Sequence, residues 1–116
     1  MNIIINLTPH AIVLRSGDGF DTAIPASGTI ARVTSTPGAP AAVEGIPVPV
    51  FGRDAYGEVT GLPAPAEGTF YIVSALVGSA LAGTRDDVLV PGTGPQDGAV
   101  RDEKGLIVAV TRLKRV

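Results

Sequence analysis

Thr69-Phe70-Tyr71-Ile72-Val73-Ser74-Ala75-Leu76-Val77-Gly78-Ser79-Ala80-Leu81-Ala82-Gly83 is the stretch on which the fold turns. Its first five residues are aromatic, β-branched or apolar without a break, the pattern of a strand with both faces covered. The rest changes period. Leu76, Val77, Ala80 and Leu81 fall on one helical stripe, Ser74 suits an N-cap and Gly83 a left-handed stop, so a short helix is predicted over residues 74–82. Gly78 weakens that helix by about 1 kcal/mol relative to Ala.

Outward from this strand the pieces are shorter and strand-like. Residues 3–7 and 11–15 are aliphatic runs parted by Thr8-Pro9-His10, where the proline breaks any ladder. Ser16-Gly17-Asp18-Gly19 predicts a hairpin turn into a strand around residues 22–24, and residues 29–34 alternate as a further strand. In Ile46-Pro47-Val48-Pro49-Val50-Phe51 prolines alternate with apolar residues, which only an edge strand or an extended segment tolerates. Residues 57–60 allow another short strand, and Leu62-Pro63-Ala64-Pro65-Ala66 is a semi-rigid connector. Val88-Leu89-Val90 predicts a buried strand, and residues 99–102 and 106–113 flank Glu103-Lys104-Gly105 as a second hairpin.

The sum is a mainly β (α+β) single domain over residues 1–116, a compact barrel-like or sandwich-like antiparallel sheet with one short helix. Twenty-five of the 116 residues are Gly or Pro, enough to chop the chain into short strands. With 45% apolar and 17% charged residues the chain has the composition of a folding domain, and five aromatics leave the core to Val, Ile, Leu and Ala.

Composition also excludes functions. There is no cysteine, hence no disulfide framework and no thiolate metal site. The longest apolar run, residues 70–82, is too short and too interrupted for a membrane helix, and residues 1–6 lack the parts of a signal peptide. A cytoplasmic place of action is the expectation. The net charge of −2 argues against a phosphate-backbone binder of nucleic acid, although the last third carries most of the cations.

No catalytic set is legible. His10 is the only histidine, so a zinc site would need carboxylates alone, and no serine lies in a nucleophile elbow. Asp86 and Asp87 are adjacent, so in a strand they would point to opposite faces, which suits a salt bridge with Arg85 better than paired acid and base work. Gly92-Thr93-Gly94-Pro95-Gln96-Asp97-Gly98 superficially resembles a phosphate loop, but it lacks the dinucleotide spacing and precedes a strand. Arg85 and Arg101 bracket it, and Arg is suited to bidentate anion recognition.

Asn6-Leu7-Thr8-Pro9-His10, Tyr71-Ile72-Val73-Ser74 before a small-residue helix, Arg85-Asp86-Asp87, Pro91 and Val100-Arg101-Asp102-Glu103 with Gly105 resemble a family of small bacteriophage and prophage proteins. The likeness covers nearly the whole chain, with the loop before Val100 as the departure from it. A phage origin implies action by occupancy. The first expectation is a non-enzymatic, oligomeric binding module that sequesters a small anionic ligand, such as a nucleotide immune signal, in counter-defence. Its ligand-binding residues would be Tyr71 for stacking, Arg85 and Arg101 for phosphate, and His10 and Ser74 for hydrogen bonds, with no cofactor or metal. The alternative is a structural or decorating virion component joined through strand edges.

Overall fold

A computed structural model describes residues 2–116, with Met1 outside the described residues. In chain order the elements are β1 (Ile3–Asn6), β2 (Ile12–Arg15), β3 (Asp21–Ile24), β4 (Ser35–Thr36), β5 (Pro40–Ala41), β6 (Val50–Phe51), β7 (Ala55–Tyr56), β8 (Thr69–Ile72), α1 (Ala75–Ala80), β9 (Val88–Pro91), β10 (Val100–Arg101), β11 (Ile107–Ala109) and β12 (Leu113–Arg115). The fold is mainly β with one short helix, arranged as several small open sheets that do not close into a barrel.

The apolar run of β8 has the place its composition requires. It lies inside a four-stranded sheet of order β1-β8-β9-β12, with Tyr71 paired to Ile5 on one side and to Val88 on the other. Both central pairings are parallel and only β9–β12 is antiparallel, so the sheet is mixed rather than antiparallel throughout. The reason is α1. A helix between β8 and β9 returns the chain to the same end of the sheet, as a parallel pair requires.

Paired residues share a face, because side chains alternate along a strand. Ile5, Tyr71, Val88 and Val90 face α1, where Val73 and Val77 complete a core that also takes in Leu7 and Ala31. Ser74 caps α1, accepting the Val77 N–H, and Gly83 has φ +74° beyond the C-cap at Leu81. The buried stripe of α1 differs from the expected one. Leu76 is exposed while Val77 and Gly78 are buried, because a Cβ on Gly78 would stand 2.6 Å from a Val90 methyl and 3.1 Å from a Val116 methyl. Gly78 is therefore a close-approach residue that seats the helix on β9.

The opposite face of the sheet carries Asn6 and Ile72, which are buried, and Ile4, Phe70, Leu89 and Leu113, which are half-buried to exposed and form the part of the face left uncovered. The β2–β3 hairpin flanks it and is tied to Val110, just past β11, through Arg15 N–H to the Val110 carbonyl and Val110 N–H to the Val13 carbonyl. The β10–β11 hairpin turns on Asp102, whose Oδ1 accepts the N–H groups of Lys104 and Leu106. The apolar run over residues 106–113 is divided, its first part pairing with β10 and its last residue opening β12.

Residues 32–60 leave the body as an arm. From the Arg32–Thr60 bridge the two limbs pair in succession as β4 with β7 and β5 with β6. The alternation at residues 29–34 and 57–60 therefore gives bridges at the arm's root rather than full strands, and only Val50–Phe51 of the proline-punctuated segment is strand. The radius of gyration is 17.0 Å, against about 13 Å for a compact chain of this length.

Candidate functional site

Arg85 follows the turn after α1, and its guanidinium forks onto Asp87, Nε to Oδ1 at 2.8 Å and Nη2 to Oδ2 at 2.7 Å. Both side chains are 19% exposed, so the pair is partly desolvated. Hydrogen bonding to Arg85 holds the Asp87 carboxyl below its usual range, and the same bond raises the guanidinium. Nη2 also donates to the Pro63 carbonyl at 3.1 Å, and the buried Tyr71 hydroxyl reaches the next carbonyl, that of Ala64, at 3.4 Å. Two of the five expected ligand residues thus come together, and what they jointly hold is the Leu62-Pro63-Ala64-Pro65 connector.

The other three lie apart from this pair. Ser74 is engaged as the helix cap, its Oγ accepting from Val77 N–H at 3.4 Å. Arg101 donates from Nη1 to the Gly105 carbonyl at 2.9 Å, spanning the hairpin turn. His10 is exposed, and its carbonyl accepts from the Asn6 Nδ2 and from the Thr8 hydroxyl.

The glycine-rich loop holds an anion of its own. Asp97 is 4% exposed, and its Oδ2 accepts the Gly94 N–H at 2.8 Å. Lys114 Nζ lies 3.5 Å from Oδ2 and Arg112 Nη1 lies 3.7 Å from Oδ1. The cations that reach this loop therefore come from Arg112, just before β12, and from Lys114 within it, not from positions 85 and 101. The Gly94 bond, ahead of the two cations, lowers the Asp97 carboxyl. Such a loop offers an amide concavity to anions in general, and here the chain's own carboxylate occupies it.

Sequence reasoning passed over Asn6 in the Asn6-Leu7-Thr8-Pro9-His10 motif. Asn6 is 1% exposed; its Nδ2 donates to the His10 and Ile24 carbonyls, and its Oδ1 accepts the Thr8 N–H and hydroxyl. One buried amide ties β1 to the proline bend and to β3. The signal was the Asn-x-Thr spacing, which favours a side-chain turn two residues on. For Asp97 the signal was an acid three residues after a glycine inside the loop.

Two shallow hollows adjoin on the uncovered sheet face. One of about 300 Å³ lies over Phe70 and Leu89, the other of about 470 Å³ lies between the sheet and β2–β3, and they share Ile4 and Leu113. Neither is lined by His10, Tyr71, Ser74, Arg85 or Arg101. Among the described residues no group of three or more His, Asp or Glu could hold a metal ion, and no helix is long and apolar enough to cross a membrane.

Of the thirteen large apolar residues that stand exposed among the described residues, seven lie on the body, Leu106, Ile107 and Val108 among them, and six on the arm. Val43, Ile46, Val48, Val50, Phe51 and Tyr56 of the arm are each 40–61% exposed. Single exposed apolar residues are ordinary, whereas a contiguous set on one projecting element marks an interaction surface.

Comparison with family models, with curated proteins and with solved structures finds no match.

Proposed function

We propose that the chain is a non-enzymatic assembly module, the structural or decorating component of a phage-type particle, which joins neighbouring proteins through the arm over residues 32–60. One observation carries the reading: six large apolar side chains ride on an element that none of the body covers. With 40–61% of each residue's surface still in water, each forgoes about half of the ~1.5–3 kcal/mol that full burial would supply. Prolines 47 and 49 blunt the arm against open-ended strand pairing while leaving its side chains free for a specific partner.

Sedimentation velocity on the full chain tests this. The parent should sediment as a dimer or larger, a variant carrying Ile46→Glu and Val48→Glu should shift towards monomer, and the parent should co-sediment with particles. A parent that stays monomeric at high concentration and away from particles removes the proposal.

Uptake of a small anionic ligand ranks second. Its support is the adjacency of Tyr71 and Arg85, and it would require Arg85 to exchange Asp87 for the ligand. Calorimetry against linear and cyclic nucleotides decides it, since binding by the parent that is lost in Arg85→Ala would return it to first place.

A further inference from the structure

We infer that the arm tip of one copy docks on the uncovered face of the four-stranded sheet of a second copy. This rests on the assembly reading and adds the identity of the acceptor.

Three observations carry it. The first is that donor and acceptor are both apolar and both unsatisfied. The tip presents Ile46, Val48, Val50 and Phe51, and the sheet face presents Ile4, Phe70, Leu89 and Leu113 around two adjoining hollows. The second is size. The reach of residues 46–51, which bend at Pro47 and Val48, is at most about 17 Å, and four strands side by side are about 14 Å across. The tip is therefore of the same scale as the strip from Ile4 across to Leu113 that the two hollows follow.

The third is charge. The cations lining the two hollows are Arg15, Arg112 and Arg115, and no acidic side chain lines either. Arg15 is committed to Asp21, but Arg112 is 56% exposed at 3.7 Å from its nearest carboxylate, and Arg115 donates only to a carbonyl. Residues 32–60 of the arm carry Glu44, Asp54 and Glu58 against Arg32 and Arg53, and Glu44 is the one charged residue of the tip between positions 37 and 52. An acidic arm meets a basic rim, the arrangement that fixes register and speeds encounter.

The acceptor belongs to another copy because of where the arm begins. Its root beside Ala31 packs with Leu7, Val73 and Val77 on the helix side of the sheet, and the nine residue steps from Arg32 to Ala41, at most about 30 Å, carry the tip away from it.

The chain has no cysteine, so introduced thiols report contacts cleanly. Val48→Cys chains are mixed with differently tagged Ile4→Cys chains and oxidised, with Leu106→Cys, an exposed residue of the β10–β11 turn, as the control partner. The expected result is a mixed disulfide dimer with Ile4→Cys at least tenfold faster than with Leu106→Cys. In parallel, Ile4→Glu and Ile46→Glu should each raise the dissociation constant of the oligomer at least tenfold, with circular dichroism confirming that each variant is folded. If Ile46→Glu separates the oligomer while Ile4→Glu does not, and the two thiol partners react alike, the acceptor assignment is overturned and the assembly reading stands. A monomeric parent overturns both.

Discussion

Asp97 Oδ2 accepts the N–H of Gly94, so the glycine-rich loop before β10 is closed by a carboxylate three residues further along the same loop. This accounts for a phosphate-loop appearance without an external phosphate. Replacing Asp97 with Ala should vacate the concavity and leave the Gly94 amide with Arg112 and Lys114 free to take an anion. Thermal melting checks it. The parent's Tm should not respond to added inorganic phosphate, whereas the variant should start lower and rise with phosphate, as a ligand that binds only the folded state requires.

Stability should fall in acid. Asp87 and Asp97 both hold their protons more weakly when folded than the ordinary carboxyl value of 3.8. A depressed folded value contributes stability that is fully present above the unfolded value and is lost as the pH falls through the folded one. The Tm should therefore be level from about pH 8 to about pH 5 and decline below about pH 4. Arg85→Ala should cost about 1–2 kcal/mol at neutral pH, since the lost fork is charge-assisted but partly hydrated, and should shallow the acid decline.

Gly78→Ala should destabilise despite the better helix former. Helix propensity favours Ala by about 1 kcal/mol, while forcing a methyl against a stiff β-branched neighbour costs about 1–3 kcal/mol. The clash sits 2.6 Å from the Val90 methyl, so the net loss should be about 1 kcal/mol. Val90→Ala in the same chain should recover part of it, and denaturant melts of the two single variants and the double would show that coupling.

Asn6→Ala should lower stability by at least about 2 kcal/mol, because it strips a buried site of a fully used amide and strands the Thr8 N–H. Asn6→Asp should be no better at neutral pH. It keeps the acceptor for Thr8 but points a carboxylate at the His10 and Ile24 carbonyls, to which Nδ2 now donates. Equilibrium urea unfolding of both variants measures the difference.

The uninterrupted Thr69–Val73 run and the Ser74 cap declared themselves in the sequence, since a doubly covered strand and a capped helix each leave a local signature. The partners of that strand did not. Nothing local in Ile3-Ile4-Ile5 says that it lies parallel to a strand 66 residues away, adding a second parallel pair to the one that α1 connects. At Arg85 an ion pair with Asp86 or Asp87 was written in the spacing, though not which of the two, and no spacing tells that Arg101 would be spent on Gly105 or that Arg112 and Lys114 would reach the loop instead. The arm was half legible: Pro47 and Pro49 marked a segment unfit for a sheet interior, yet its projection depends on pairings up to 28 residues apart.

The order of the four-stranded sheet places residue 3 at one edge and residue 115 at the other, with the two central strands drawn from the middle and late parts of the chain. No pair in it is a local hairpin, so every contact must wait for a long loop to close. On the ribosome, β1 is made well before β8 and has no sheet partner until β8 emerges, and β12 follows later still. The β2–β3 hairpin can form early, but the core that α1 covers cannot be assembled until β8, α1 and β9 have all been made. Refolding of the monomer should consequently be slow, in milliseconds to seconds, and during that interval an apolar arm is already exposed.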